Sequence, residues 1–141
     1  MHTTAVDRPV GEVFAYLTNV PTFPEWSSAV QEASLVSDPP LREGSTIRET
    51  VRLLGRHIDT EIEVTELKVN RIFTRRSVSG PILMRIKAEL EPDGTKTRVT
   101  GTIEADAPRF FRLGQLILRG IATRQLRTTS ARLKDRLERR S

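Results

Sequence analysis

The sequence predicts an α+β protein in which an antiparallel sheet is covered on one face by a long C-terminal helix. Three observations point to this class. A Pro-initiated amphipathic segment lies near the N-terminus, within residues 6–26. Several segments with alternating apolar and polar side chains follow, which is the pattern of strands buried on one face. A segment with helical periodicity then runs from residue 109 to about residue 139.

The composition is that of a globular protein. The 141 residues fit one domain, residues 1–141, and 37% are hydrophobic against 29% charged. The absence of cysteine excludes disulfides and thiolate catalysis, and it fits a reducing cytosol. We find neither an apolar run long enough to span a bilayer nor a basic-then-apolar leader pattern, so a cytoplasmic protein is expected.

Two short helices are predicted in the N-terminal segment. Pro9 suits the first turn of a helix because its missing N–H is not needed there, and Asp7 has the chemistry of an N-cap. Asn19 and Pro21 end this helix, and a second short helical turn ends near Trp26. The apolar residues of both helices lie at helical spacing: Val10, Val13, Phe14, Leu17, Val20 and Phe23.

About six strands are predicted after these helices. Turn signals separate them, and Pro92-Asp93-Gly94 is a strong hairpin signal. One face of the strands is apolar and the other is charged, which predicts an antiparallel sheet covered on one side. The facing of residues 71–78 stays open, because neither alternate set of side chains is clearly apolar. The inward set is predicted to include Ile47, Glu49, Val51, Ile58, Thr60, Ile62, Val64, Met84, Ile86, Val99, Gly101 and Ile103.

The C-terminal helix is predicted to be long enough to lie across the whole sheet. About 30 residues at ~1.5 Å per residue reach ~45 Å. Residues 109–141 contain nine arginines and one lysine against two acidic residues. A solvated basic face is the favoured interpretation, and weak contact with anionic lipid is the alternative. The apolar stripe of this helix consists of Phe110, Leu113, Gly114, Ile117, Ile121, Leu126, Leu133 and Leu137.

Specific binding of nucleic acid is not expected from this basic segment. Aromatic residues make up 5% of the chain, and no motif of a nucleic-acid-binding protein is present. Electrostatic attraction alone would then be the only basis for such binding.

The element order and the N-terminal segment together resemble a known superfamily. Pro9, the pair of Val13 and Phe14, and Trp26 match the Pro-started helix, Val-Phe pair and following Trp of the START-like (SRPBCC) helix-grip superfamily. The resemblance is to its polyketide cyclase/dehydrase-type or lipid-transport-like branch. It implies a curved antiparallel sheet of about seven strands around the long C-terminal helix, with the two short helices closing one end.

The resemblance also implies a cavity between sheet and helix that holds a hydrophobic small molecule, with an ordinary packed core as the alternative. Trp26 is either a plug of the core, which is favoured, or a residue that stacks on a ligand or closes the cavity mouth. Small residues such as Gly101 would leave room for a ligand. The candidate ligand-binding residues are Phe14, Trp26, Ile47, Val51, Ile62, Met84, Ile86, Gly101, Ile103, Leu113, Ile117 and Ile121.

Glu49 and Arg76 are the candidates for catalytic chemistry in this cavity. Glu49 shares its strand face with Ile47 and Val51, where a carboxylate is costly unless it is paired. Arg76 is a candidate partner, and the pair would then orient a ligand or act as an acid and a base. The favoured alternative places Glu49 at a solvated rim through a twist or bulge of the strand.

Other kinds of catalytic or metal site receive little support. His57 and Asp59 share a strand face, but a metal site needs three or four ligands, and the other histidine is His2 near the N-terminus. No serine has the context of a nucleophile elbow, so a Ser-His-Asp triad is not expected. We therefore expect neither a metal nor a cofactor.

The leading hypothesis is the binding of a lipid or a polyketide-like aromatic metabolite between sheet and helix. The rival hypothesis is a polyketide cyclase or dehydratase that uses polar groups in the same cavity. Whether the protein is an enzyme stays open, because a cyclase needs acid–base groups and a carrier does not. A structural module without a ligand is the third class, and it would show a filled core.

Overall fold

A computed structural model of the chain describes the backbone of residues 1–53, 55–79, 83–106 and 112–139. Side chains are described for these residues except residues 53, 106 and 112–118. A 3₁₀ turn at Val20–Thr22 precedes the second helix. The helices and strands, in chain order, are β1 (His2–Val6), α1 (Val10–Leu17), α2 (Phe23–Trp26), β2 (Val30–Leu35), β3 (Thr46–Leu53), β4 (Arg56–Lys68), β5 (Ile72–Ser77), β6 (Leu83–Asp93), β7 (Lys96–Asp106) and α3 (Arg112–Glu138).

Within these residues, seven strands form one curved antiparallel sheet in the order β1-β7-β6-β5-β4-β3-β2. Each strand from β2 to β6 pairs with the next strand along the chain, and β1 pairs with β7 at the far edge. The predicted α+β helix-grip fold, with two short N-terminal helices and a long C-terminal helix, is confirmed.

The turn between β6 and β7 lies where the Pro92-Asp93-Gly94 signal predicted it. Asp93 pairs with Lys96 across the β6–β7 turn, and Gly94 between them has a φ of 63°. Glycine readily adopts this left-handed conformation because it lacks the Cβ atom that would clash with the backbone in other residues. The hairpin signal in the sequence therefore predicted both the position of the turn and its backbone conformation.

The two faces of the sheet differ as the alternation predicts. On β4, Thr60, Ile62 and Val64 are buried. On the opposite face, Glu61 lies 3.6 Å from Arg48 of β3, and both side chains are largely exposed. Strand residues therefore alternate between an apolar inner face and a charged outer face, as expected for a sheet covered on one side.

Strand β5 turns Phe73 and Arg75 to the inner face of the sheet. Both residues are buried, whereas the neighbouring Arg76 is exposed on the outer face. The pairing of Val64 with Arg75 carries the inward facing of β4 over to β5. The sequence left open which alternate set of side chains in this strand faces inward. In the structure it is the set that contains Phe73, Arg75 and Ser77.

The N-terminal helices fill one end of the space beneath the sheet. Helix α1 begins after Pro9, which occupies the N-cap position with extended backbone and no side-chain cap. The prediction of Asp7 as the cap is therefore wrong, because the cap position lies two residues later and no side chain accepts a hydrogen bond from the first turn of the helix. The packed core at this end includes Val6, Val13, Phe14, Leu17, Val20, Phe23, Phe73, Leu90, Val99, Leu133 and Leu137.

Helix α3 packs against β1, β7 and α2. Leu126, Leu133 and Leu137 from its predicted apolar stripe are buried. None of the helices in the described part of the chain has the length and apolar character needed to cross a bilayer.

The Arg8 side chain satisfies carbonyl groups at the C-terminal end of α3. Its Nε donates to the Leu137 carbonyl at 2.9 Å, and its Nη2 donates to the Glu138 carbonyl at 3.3 Å. The last carbonyls of a helix have no partners within the helix, and a cation also interacts favourably with the helix dipole there. Arg8 therefore anchors this end of α3 beside the start of the chain.

Lys134 and Glu138 add a second connection between α3 and β1. Lys134 Nζ donates to the Ala5 carbonyl at 2.8 Å and to the Glu138 carboxylate at 2.6 Å. The hydrogen bond from Lys134, followed by that from the Asp7 backbone N–H, lowers the pKa of Glu138. The C-terminal end of α3 is thus held to the edge of the sheet by polar as well as apolar contacts.

We expect Arg8→Met to lower the free energy of unfolding by about 1–2 kcal/mol, because two charge-assisted hydrogen bonds are lost. Urea denaturation measures this change. Arg139→Met is the matched control, since the Arg139 side chain is 78% exposed and pairs with Asp135 on its own helix. The control should change stability by less than about 0.5 kcal/mol. An equal loss in both variants would contradict the role assigned to Arg8.

Candidate functional site

A pocket of about 500 Å³ lies between the inner face of the sheet and residues 121–129 of α3. Strands β3 to β7 supply most of its floor, and the segment that follows α2 supplies one side. The lining residues Trp26 and Val30 also belong to the packed core, so the pocket adjoins that core. Its apolar lining consists of Trp26, Ala29, Val30, Val51, Ile58, Met84, Ile86, Ile103, Ala105, Ile121 and Leu126.

A second hollow of about 460 Å³ lies at the other end of the molecule. It is lined by Tyr16, Glu25, Asp135, Arg136 and Arg139, most of which are polar or charged. The Tyr16 hydroxyl donates to the Glu25 carboxylate at 3.0 Å. This surface hollow lacks the apolar walls of the first pocket, which is therefore the stronger candidate for a small-molecule site.

Glu49 and Arg75 form a buried ion pair in the wall of the pocket. Glu49 is 2% exposed and Arg75 is 5% exposed, and Arg75 Nη1 lies 3.8 Å from Glu49 Oε2. Burial raises the pKa of Glu49, an effect that the charge of Arg75 opposes. Burial likewise lowers the pKa of Arg75, opposed by the charge of Glu49.

The Arg75 guanidinium lies among three aromatic rings. Its Cζ is 5.0 Å from the centroid of Phe23, 4.9 Å from that of Phe73 and 5.8 Å from that of Trp26. Such contacts attract a cation to the ring faces and are stronger where water is excluded. The rings therefore help to hold the charge of Arg75 in a fixed position.

Several other polar groups of the pocket already have partners. The Thr60 hydroxyl donates to the Ser79 carbonyl at 2.9 Å. Ser28 Oγ donates to Gln125 Oε1 at 3.0 Å, which joins the segment after α2 to α3. These groups shape the pocket, but their hydrogen bonds are satisfied within the protein.

Half of the predicted ligand-binding residues lie in the lining of the pocket: Trp26, Val51, Met84, Ile86, Ile103 and Ile121. Phe14, Ile47 and Ile62 are buried in the packed core instead, and they are not among the lining residues. The predictions for Leu113 and Ile117 concern side chains outside the described residues. Alternation thus predicted the inner face, but not which part of that face borders the pocket.

Gly101 serves close packing and does not line the pocket. A Cβ atom at this position would lie 2.7 Å from Leu126 Cδ1. The absence of a side chain therefore lets α3 approach β7. The expectation that Gly101 leaves room for a ligand is not met, since the leucine of the helix fills that space.

The predicted pairing of Glu49 with Arg76 is wrong, and so is the favoured placement of Glu49 at a solvated rim. Arg76 is exposed and donates from Nη2 to Glu63 Oε1 at 3.2 Å on the outer face. The inward residue of β5 is Arg75. The aromatic residue Phe73 could have indicated this, because residues two apart on a strand share a face.

The described side chains do not form a metal-binding site. His57 and Asp59 are both exposed, and Asp59 accepts a hydrogen bond from Thr50. Within the part of the chain that the structure describes, no group of three or more histidine or acidic residues could hold a metal ion.

The basic residues of α3 are mostly exposed. Arg119, Arg124, Arg127, Arg136 and Arg139 all face solvent to a large extent. This is compatible with a solvated face, the favoured interpretation of the sequence. Contact of this face with anionic lipid stays a prediction.

The family model for polyketide cyclase / dehydrase and lipid transport proteins matches residues 1–138 of the chain. No curated protein sequence matches the chain. Comparisons beyond the family therefore rest on solved structures.

Several solved structures share the fold across almost the whole chain. The Zhui aromatase/cyclase from Streptomyces sp. R1128 is 15% identical with a TM-score of 0.84, and the match covers 99% of this chain and 92% of that one. A START superfamily protein from Mycobacterium smegmatis is 14% identical with a TM-score of 0.80, covering 99% and 97%. The di-domain ARO/CYC BexL from the BE-7585A biosynthetic pathway is 19% identical with a TM-score of 0.78, covering 95% and 44%. At these identities the likeness shows the fold alone.

We expect Arg75→Met to destabilise the protein by about 3–5 kcal/mol, because it leaves Glu49 as an unpaired carboxylate in an apolar wall. The double variant Glu49→Leu/Arg75→Met removes both charges and should recover most of this loss. Urea denaturation measures both changes. Arg76→Met is the control, and it should cost less than about 1 kcal/mol because its ion pair is exposed. A double variant no more stable than Arg75→Met would contradict this account.

We expect the buried carboxylate to make stability depend on pH. Because burial raises the pKa of Glu49, the folded protein holds this proton more tightly than the unfolded chain, in which the pKa is about 4.3. The stability that this carboxyl group contributes in its protonated form is therefore fully present below the pKa of the unfolded chain. It is lost as pH rises through the pKa of the folded protein. Measured from about pH 4 to pH 8, the stability of the native protein relative to Glu49→Gln should fall as pH rises. A rise would show that attraction to Arg75 prevails over desolvation.

Proposed function

The chain belongs to the polyketide cyclase / dehydrase and lipid transport family, and on this premise we propose that it binds a hydrophobic small molecule in the pocket between the sheet and α3. The ligand is a lipid or a polyketide-like aromatic metabolite. The family includes polyketide cyclases or dehydrases as well as lipid-transport proteins. The choice between enzyme and carrier therefore depends on the chemistry of the pocket.

The size and lining of the pocket are the observation that carries this proposal. Its volume of about 500 Å³ falls within the range of roughly 300–1,000 Å³ that is typical of small-molecule sites. Val51, Ile58 and Ile86 present aliphatic side chains from three different strands. Apolar walls with a few placed polar groups are the usual composition of such sites, because burial supplies affinity and polar groups supply orientation.

A cyclase or dehydratase acting in the same pocket is the second candidate function. The specific observation in its favour is the burial of Glu49 beside Arg75, since a carboxyl group with a raised pKa is suited to proton transfer. The aromatase/cyclases that share the fold lend this candidate support by analogy. A carrier has no need of acid–base groups, and the pair would then serve only to orient its ligand.

A large side chain that fills part of the pocket should weaken binding of a hydrophobic probe. We expect Ala105→Phe to weaken binding of the neutral fluorophore N-phenyl-1-naphthylamine by about tenfold or more, because the new ring occupies part of the pocket. Glu104→Phe is the matched control, since Glu104 is the preceding residue of β7 and is exposed on the outer face. Fluorescence titration gives both dissociation constants. Unchanged binding by Ala105→Phe would show that the probe binds elsewhere.

Native mass spectrometry of freshly purified protein identifies the class of ligand. A co-purified lipid or aromatic metabolite is the expected result. Incubation of that molecule with the protein then separates the two candidate functions. A carrier returns it unchanged, a dehydratase returns a product lighter by one water, and a cyclase returns an isomer of equal mass that chromatography resolves. Binding of neither a co-purified molecule nor the probe would contradict the proposed function.

A further inference from the structure

Leu126 of α3 lies where the packed core meets the pocket. It is 7% exposed, and it belongs to the lining of the pocket. Among the apolar residues of the helix, Ile121 on one side of it also lines the pocket. Leu133 and Leu137 on the other side are buried in the packed core. On the helix, Leu126 therefore separates the apolar lining of the pocket from the core.

Strand β7 shows the same change beneath the helix. Val99 belongs to the packed core and Ile103 lines the pocket, and Gly101 lies between them. Because residues two apart on a strand share a face, Gly101 also faces inward. A Cβ atom at this glycine would lie 2.7 Å from Leu126 Cδ1, which is well short of van der Waals contact. The leucine side chain therefore occupies the space directly over the glycine.

Strand β6 has a second small residue at the same boundary. Leu90 belongs to the packed core and Ile86 lines the pocket, and Ala88 lies between them on the same face. Ala88 is paired with Gly101 in the register of β6 and β7. Two of the smallest residues therefore lie side by side on the floor, where a large side chain would separate core from pocket.

We propose that Leu126, seated over Gly101, is the end wall of the pocket and limits the length of the ligand that the pocket accepts. The inference rests on the proposed function and adds to it the residue that determines ligand size. Because Gly101 and Ala88 present almost no side chain, shortening Leu126 extends the pocket across them.

The helix has attachments on both sides of Leu126 that do not depend on this contact. Towards the C-terminal end, Arg8 donates to the Leu137 carbonyl and Lys134 donates to the Ala5 carbonyl. On the other side, Ser28 donates to Gln125 at 3.0 Å. We therefore expect α3 to keep its place when Leu126 is shortened, so that the removed volume is added to the pocket.

Fluorescence titration with two neutral probes tests this inference on the full chain. Prodan is a dimethylaminonaphthalene with a propionyl group, and its hexanoyl homologue is longer by three methylenes. Each methylene that becomes buried raises affinity about fourfold. Leu126→Ala removes three carbons from the end wall. We expect it to raise the affinity of the hexanoyl probe relative to Prodan by about tenfold or more over the native ratio.

Two further variants assign this change to the end wall. Leu133→Ala is the matched control, because it makes the same substitution on the same helix at a residue of the packed core that does not line the pocket. It should change the ratio by less than about twofold. Leu126→Val shortens the side chain by one carbon and disturbs folding less than the alanine variant. It should raise the ratio by about two- to fourfold.

Gly101→Ala tests the seat of the leucine. In the native protein the new methyl group clashes with Leu126, so the urea midpoint of unfolding should fall. In the Leu126→Ala background the methyl group has room, and the midpoint should fall by less than about half as much. The same methyl group occupies part of the opened space, so the ratio of affinities in this double variant should fall towards the native value.

The possible results separate this inference from the proposed function. An unchanged ratio in both Leu126 variants, an equal rise in Leu133→Ala, or an equal effect of Gly101→Ala in both backgrounds would overturn the inference and leave the proposed function standing. Failure of the native protein to bind either probe would overturn the proposed function and the inference with it. Because the ratio compares two ligands on one variant, a loss of stability by itself does not change it.

Discussion

The burial of the Arg75 guanidinium is the constraint around which the interior is organised. A charge with 5% exposure is tolerable only with compensation, which here comes from Glu49 at 3.8 Å and from three aromatic rings. Phe23 and Phe73 belong to the filled end of the core, whereas Trp26 and Glu49 border the pocket. Arg75 thus marks the boundary between the two.

The position of α3 decides where the interior stays open. Its C-terminal end is held to the start of the chain by Arg8 and Lys134, and Leu133 and Leu137 are buried in the packed core. Farther towards the pocket, the missing side chain of Gly101 lets Leu126 approach β7. The pocket lies between the sheet and residues 121–129 of α3. The contacts that anchor the C-terminal end of the helix therefore lie at the filled end of the core, and the pocket lies beside residues farther towards its N-terminal end.

The alternation of side chains predicted much of the site but misplaced its key cation. Glu49 lies on the inner face with its apolar neighbours two residues away, although the favoured interpretation of the sequence placed it at a solvated rim. Its arginine partner was taken to be Arg76, because residues 71–78 carry charged and apolar side chains on both alternate sets. The pairing of Val64 with Arg75 in the sheet decides the facing, and this pairing is a contact between strands that no local pattern encodes.

By itself, the sequence determined the order of the elements, the turns and the inner face of most strands. These features depend on local chemistry: the period of side chains along a strand or helix, and the backbone preferences of glycine and proline. Only the tertiary structure decided that Arg75 is buried, and that Phe14, Ile47 and Ile62 lie in the packed core while Met84 and Ile103 border the pocket. The physical reason is that a residue on the inner face is covered or left open by the helix that crosses it, and that helix is distant in sequence.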